Sequence, residues 1–300
     1  MAITLSDLAQ NSTDAIKQGF INEIITDSYL LATMPFDDCM TPSGTSDLVY
    51  GYKRVTTHAS AAFRALNSEP AKNNAKVTKQ TTQLAILSHA WEMDRVAKNA
   101  AEDLYELQLE ESKNAIIRQF NNTLINGTGA SNSFDGLNKA ITGSSTDASS
   151  TTDLSTVDQA AALAYAEELD AMISNLMRDP DVLLVSPAMK VKLNAVLRVL
   201  GLATTTKDDA GKNVDVWNGI RVETLRDGAL ATNDVYAVCF GLDAFHGITL
   251  KGDAAVTVAL PDWSTPGAVK SGDAEIVCGC ALKATKAAGV LRAYSADSGD

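Results

Sequence analysis

The apolar pattern opens on two short helices. Thr4 or Ser6 can cap the first, with Leu5, Leu8 and Ala9 on one side. The second runs from about Gly19 to Ala32: Phe20, Ile21, Ile24, Ile25 and Leu31 recur at helical spacing, and Pro35 ends it. Over residues 46–92 the pattern becomes strand-like, rich in Thr, Val, Tyr and Ala, with a polar turn cluster from Asn67 to Asn74. This predicts a long β-hairpin. Near its base Leu84, Ile86 and Ala90 alternate with Ala85, Leu87 and Trp91, which predicts that both faces are buried there. Between 67 and 83 the only large aliphatic residue is Val77, so the tip has no core of its own. A two-stranded ribbon is marginal in water, so such a tip either moves freely or lies on something else.

The clearest helical period spans 93–126: Met93, Val96, Ala97, Ala100, Leu104, Leu107, Ile116, Ile117, Phe120 and Leu124, without Gly or Pro. It predicts a rod of roughly 50 Å, stopped at Asn126-Gly127. Residues 127–156 are rich in Ser, Thr and Gly and predict a loop or weak hairpin. From 156 onward the pattern is α/β. A helix is predicted over 157–178, a buried strand over 181–185, and a helix starting at Pro187 and continuing over 188–200. Strands follow near 214–217, 220–224, 234–240 and 254–259, then a last strand region over 274–286.

Charge narrows the function classes. Lys and Arg number 25 against 37 Asp and Glu, a net charge of −12. Sequence-independent binding to DNA or RNA needs a cationic surface, so it is not expected here. No uncharged apolar run reaches ~18 residues, which argues against membrane insertion, and no signal peptide is apparent. Cys39, Cys239, Cys278 and Cys280 are too few for a disulfide framework and read as buried thiols made in a reducing cytosol. Period two places Cys278 and Cys280 on one strand face, but His58, His89 and His246 are scattered, so no metal or other cofactor is expected. No nucleophile elbow, His-Glu-x-x-His pattern, Walker loop or convincing dinucleotide fingerprint is present. Asp208 to Asp215 only faintly resembles a calcium loop and reads as a polar turn. Trp91, Trp217 and Trp263 read as packing residues.

Two local charge patterns remain. The hairpin holds Lys53, Arg54, Arg64, Lys72, Lys76 and Lys79 against Asp47, Glu69 and Glu92. The long helix carries Glu102, Asp103, Glu106, Glu110 and Glu111 with no cation between them, and Glu102, Glu106 and Glu110 form one stripe. The stripe is either a solvated acidic face or the place where a basic arm from another subunit lies.

The order of these elements resembles the major capsid proteins of tailed bacteriophages, the Hong Kong 97-type fold. The resemblance rests on residues 19–23 through Met34-Pro35-Phe36, on Ala62 to Glu69, on Leu84 to Leu87 through Glu92-Met93-Asp94, and on Phe120 to Gly127 with Phe134-Asp135-Gly136-Leu137. Beyond 138 it rests on element order. The resemblance implies an α+β chain with an N-terminal arm (1–45), an extended E-loop (46–92), a P-domain with a long spine helix and β-sheet (93–150 and 271–300), and an α/β A-domain (151–270). It implies a non-enzymatic subunit that self-assembles as hexamers and pentamers into an icosahedral phage head around double-stranded DNA. The expected partners are other copies of itself, a portal protein, a separate scaffolding protein and decoration proteins. Its place would be the virion, after assembly in the bacterial host cytoplasm. Some relatives carry a cleavable scaffold segment of roughly a hundred residues; here the arm starts almost at Met1, so scaffolding is a separate protein or is not needed. In that fold each E-loop lies across the P-domain of a neighbouring subunit. The expected intersubunit contact therefore joins Arg64, Lys72, Lys76 and Lys79 to Glu102, Asp103, Glu106, Glu110 and Glu111. Two other functions stand beside this one: the shell of a cellular encapsulin-like compartment, and a cytosolic hydrolase with an unrecognised site.

Overall fold

The structure, a computed structural model, describes residues 29–39, 48–95, 102–202, 204–207, 211, 213–226, 228–230, 232–250 and 256–295; for 102–107 it describes the backbone. The first predicted helix and most of the second lie outside these residues. The described part begins with α1 (Tyr29–Thr33), whose Leu30 and Leu31 are buried, and with β1 (Phe36–Asp38) just after Pro35.

The hairpin forms from β2 (Val49–Thr57) and β3 (Lys76–Gln83), an antiparallel pair with Tyr50 opposite Thr82 and Val55 opposite Val77. Leu84 alone separates β3 from β4 (Ala85–Asp94), which leaves the ribbon and enters a five-stranded sheet. The centre of that sheet is β13 (Val269–Leu282). One edge of β13 pairs antiparallel with β4 from Val269–Asp94 to Cys278–Ala85. Its other edge pairs with β11 (Phe245–Thr249) and then β12 (Thr257–Ala259), and β1 adds in parallel to β11.

Helix α2 (Glu102–Asn126) packs on one face of this sheet, burying Ile116, Phe120, Leu124 and Ile125. This corrects two expectations. Met93 and Asp94 belong to β4, so the helix described spans 25 residues, about 38 Å and not 50 Å. Met93 fits both the alternation that runs through Leu87 and Trp91 and the helical spacing to Val96 and Ala97, so the pattern does not mark the boundary, and pairing with Lys270 and Val269 decides it for the strand. Nor is the base of the hairpin buried on both faces. Ala85, Trp91 and Met93 face α2, while Ile86, Ser88, Ala90 and Glu92 face outward.

A short turn seals the end of α2. Gly127 bonds back to Thr123, and Gly136 bonds to Gly127, both at 2.8 Å. A Cβ on Gly127 would stand 2.3 Å from the Phe134 carbonyl oxygen, and one on Gly136 would stand 2.5 Å from the Gly127 nitrogen. Gly127 is thus required by close backbone approach rather than by a left-handed cap. The predicted loop over 127–156 also contains α3 (Leu137–Ile141) and β5 (Asp147–Ser149).

The second sheet has seven strands in the order β5-β14-β10-β6-β9-β8-β7. Its centre, β10 (Val235–Val238) and β6 (Val182–Val185), is buried on both faces. β9 (Ile220–Thr224) pairs parallel with β6; β8 (Asn213–Trp217) and β7 (Thr205–Lys207) extend that side, and β14 (Ala288–Arg292) follows β10 on the other. Helices α4 (Gln159–Ser174) and α5 (Pro187–Val199) pack against each other and against β14 and β9. Both start at sound caps: Asp158 accepts from the Ala161 N–H, and Ser186 accepts from the Met189 N–H with Pro187 next. Strand pairing crosses residue 270 in both directions. β11 and β12 join β13 in the five-stranded sheet, whereas β14, after a 3₁₀ turn at Thr285–Ala287, joins the seven-stranded one. One hydrophobic core runs through both sheets, from Phe120 and Ile276 to Val182 and Leu291.

Candidate intersubunit surface

The ribbon is held at its base and free beyond it. Tyr50, Tyr52 and Arg54 alternate along β2 and point to one face. The Tyr50 hydroxyl donates to Asp37 Oδ2 at 2.5 Å, and the Tyr52 hydroxyl donates to the Leu282 carbonyl at 3.1 Å. Arg54 donates through Nε to the Lys283 carbonyl at 2.9 Å. Lys283 Nζ stands 3.6 Å from Asp37 Oδ2 and 5.3 Å from the Tyr50 ring centre. His246 is fully buried beneath this cluster, its ring edge-on to Tyr50 and its Nε2 4.0 Å from Asp37.

The electrostatics of the base follow from burial. Burial alone would raise the Asp37 carboxyl, but hydrogen bonds from Tyr50 and the Asp38 N–H, with the charge of Lys283, hold it below the usual carboxylate range. Burial and the bond to Asp37 push Tyr50 up. Burial, then the Lys283 charge, push His246 down to about 4 against the opposing pull of Asp37. These groups fasten β2 to β1, β11 and the end of β13.

Beyond the base the ribbon is exposed. Asn73 bridges its neck: its amide accepts from the Ser60 N–H at 3.0 Å and donates to the Ser60 carbonyl at 2.9 Å. The tip turns at Asn67, which has φ 62°, and Arg64 donates to the Ser68 carbonyl at 3.0 Å. Phe63 and Leu66 are exposed there, and so are Lys72, Lys76 and Lys79. The expectation of a coreless tip therefore matches the structure. The two apolar tip residues were legible in Ala62 to Glu69 as large side chains inside a loop. The Tyr50–Asp37 anchor was not, because its signal was only an alternating Tyr pair whose partners lie far along the chain.

The acidic residues are partly placed. Glu102, Asp103 and Glu106 fall within α2, and their side chains lie outside the described residues. Glu110 is exposed. Glu111 is also exposed but has a cation in its own chain, Arg118, at 3.9 Å. Among the described residues no ion pair joins the basic tip to Glu110 or Glu111 within the chain. Elsewhere, buried groups serve packing. Trp217 donates to Asp170 at 3.0 Å, and Cys280 lies 3.1 Å from the Asp135 carbonyl. All four cysteines are buried, and none is in a disulfide. Among the described residues no group of three or more His, Cys, Asp or Glu could hold a metal, and no helix is long and apolar enough to cross a membrane. Of the calcium-like turn, Asp208, Asp209 and Ala210 lie outside the described residues, while Asp215 pairs with Lys190 at 2.5 Å.

No protein-family model matches the chain, and no curated protein matches it. Solved structures do. The structure from Mycobacterium phage Bobi is similar with a TM-score of 0.64 at 14% identity, over 90% of this chain and 91% of that one. The holo-SrpI encapsulin complex from Synechococcus elongatus PCC 7942 matches with a TM-score of 0.60 at 13% identity, over 88% and 86%. The capsid of Myoviridae phage XM1 matches with a TM-score of 0.56 at 9% identity, over 86% and 90%. With a projecting ribbon, a long helix laid on one sheet and an α/β sheet beside it, the chain has the Hong Kong 97-type fold.

Proposed function

We propose that the chain is the structural subunit of an icosahedral phage head, assembling as hexamers and pentamers around packaged double-stranded DNA. The observation that carries this reading is the ribbon, firmly anchored at Asp37, Leu282 and Lys283 yet exposed from Val55 to Val77 with Phe63 and Leu66 uncovered. An arm with nothing to pack on among the described residues has its remaining contacts in another copy. The likeness to phage shells supplies the class of assembly. In this reading the arm is the E-loop; α2 and the five-stranded sheet supply most of the P-domain, and the seven-stranded sheet most of the A-domain. Arg64, Lys72, Lys76 and Lys79 reach toward the acidic stripe of a neighbour at Glu102, Asp103, Glu106, Glu110 and Glu111. A portal protein, a scaffolding protein and decoration proteins complete the head, which assembles in the bacterial cytoplasm.

The likeness to an encapsulin favours a second reading, a cellular compartment with protein cargo. A hydrolase draws no support, because the displaced groups described above hold strands together. Sedimentation and negative-stain microscopy of the expressed chain, alone and with a scaffold partner, test the proposal. Closed shells are expected. A uniform 31.7 kDa monomer under all assembly conditions overturns it. Particles recovered from the native source distinguish the two shells by their content, genome-length DNA or a folded protein.

A further inference from the structure

The sequence holds two Asn-Gly steps, Asn126-Gly127 and Asn218-Gly219. Such a step is chemically labile wherever the glycine nitrogen can reach the side-chain carbonyl carbon of the asparagine, because glycine has no Cβ to obstruct the approach. The fold treats the two steps differently. At the end of α2, Gly127 is buried and its N–H donates to the Thr123 carbonyl at 2.8 Å. Asn126 Nδ2 donates to Asn122 Oδ1 and to the Ala229 carbonyl, both at 2.8 Å. Attacking nitrogen and target amide are both held, so the helix end must open before they can meet.

Asn218-Gly219 is the whole turn between β8 and β9, closed by the pairing of Trp217 with Ile220. Its φ angles are 46° and 87°, both in the left-handed region that a two-residue hairpin turn uses. Both residues are exposed. Among the described residues the Gly219 N–H has no partner, and a Cβ on Gly219 would meet nothing within 4 Å. The Asn218 amide is only loosely held: its Nδ2 lies 3.4 Å from each oxygen of Asp170 on α4, at the long limit of a hydrogen bond. The same carboxylate accepts firmly from Trp217 Nε1 at 3.0 Å. The turn thus leaves the nucleophile free and the amide open to water.

We propose that Asn218 is a self-modification site, deamidated through its own Gly219, and that the fold protects Asn126 from the same reaction. The Gly219 nitrogen, losing its proton, bonds to Asn218 Cγ; the Cγ–Nδ2 bond breaks and ammonia leaves, closing a succinimide ring. Water then opens the ring at one of its two carbonyls. Opening at Cγ leaves aspartate at 218 and restores the Gly219 N–H; opening at the backbone carbonyl leaves isoaspartate, with Cβ and Cγ in the main chain. Either product sets a carboxylate where an amide had donated to Asp170, so two like charges face each other and the turn is pushed off α4. Isoaspartate also adds an atom to a main chain that the pairing of Trp217 with Ile220 holds at fixed length. In a shell whose subunits are not replaced, this charge accumulates with age; that consequence rests on the shell reading, whereas the conversion does not.

Incubation of the purified full-length chain, followed by digestion and peptide mass spectrometry, tests the proposal. The peptide with Asn218 should gain the mass of amide-to-acid conversion and separate into aspartate and isoaspartate forms, at least about tenfold faster than the peptide with Asn126. The rate at 218 should rise between pH ~6 and ~8, because attack needs the proton of the Gly219 N–H removed. In denaturant the two peptides should convert at similar rates. Conversion at 218 no faster than at 126 in the folded chain overturns the proposal, whatever the denatured chain does. Asn218→Asp tests the consequence. It should melt below the wild type, and Asp170→Asn, which keeps an acceptor for Trp217, should raise the midpoint of that variant more than that of the wild-type chain. An Asn218→Asp chain that melts as the wild type overturns the repulsion at Asp170. Each result reads the same whether or not the chain forms shells.

Discussion

At the scale of single residues, the anchor at the ribbon base makes the protein sensitive to acid. His246 is buried and neutral, with Asp37, Tyr50 and Lys283 facing it. Its folded pKa of about 4 lies below the ordinary 6.5. Between those values the unfolded chain takes up a proton that the folded chain refuses. Stability is therefore complete above ~6.5 and falls as pH drops toward 4, by at most about 3 kcal/mol. Asp37, held below the usual carboxylate range, adds a loss of the same sign as pH falls further. Thermal melts from pH 7 to 4 should show a declining midpoint, and His246→Asn should flatten that slope whatever it does to the midpoint at pH 7. An unchanged slope in the variant would assign the acid sensitivity to other groups.

At the scale of elements, the join between α2 and the turn after it packs backbone against backbone where a side chain is missing. Gly127→Ala would put a methyl group 2.3 Å from the Phe134 carbonyl oxygen, with the Thr123 carbonyl oxygen 2.5 Å away. Both are backbone atoms and cannot swing aside. A cost of about 2–3 kcal/mol is expected in chemical denaturation. Val191→Ala, on an exposed face of α5, should cost under ~0.5 kcal/mol. Equal losses from the two changes would show that the turn gives way easily and does not brace the helix.

At the scale of the whole molecule, the charge balance sets how the chain meets its surroundings. In the proposed shell, a net charge of −12 would leave the wall weakly repulsive to DNA, so that a packaged genome could slide and leave. Gel-shift assays at ~0.15 M salt should detect no binding at micromolar protein. A shift at or below that concentration would mean that the cations at 53–79 act on phosphate and not on carboxylates. If the chain assembles as proposed, the same cations on an exposed arm make assembly, and not folding, carry the salt dependence.

Period and punctuation determined much of this protein in advance. The ribbon, α4, α5 and strands β6, β8 and β9 stand close to where alternation, helical spacing, Pro187 and turn residues place them, because each is decided by local sequence. The coreless tip was legible for the same reason: between 67 and 83 there is too little apolar area to bury. Other features are settled by partners distant in sequence. Met93 and Asp94 are strand because β13 pairs with them, and Ile86 is exposed because α2 covers only one side of β4. β11, with His246 and Gly247 in its middle, is a strand because β1 and β13 enclose it. The candidate contact divides in the same way. Charges on the arm and on the long helix could be counted in the chain. Only tertiary structure revealed that Arg54 is consumed at the base, that Arg118 answers Glu111, and that Lys53 and Lys79 are forced side by side on the exposed face opposite Tyr50, Tyr52 and Arg54. Strand register places those charges, and register is a property of two segments rather than of either one.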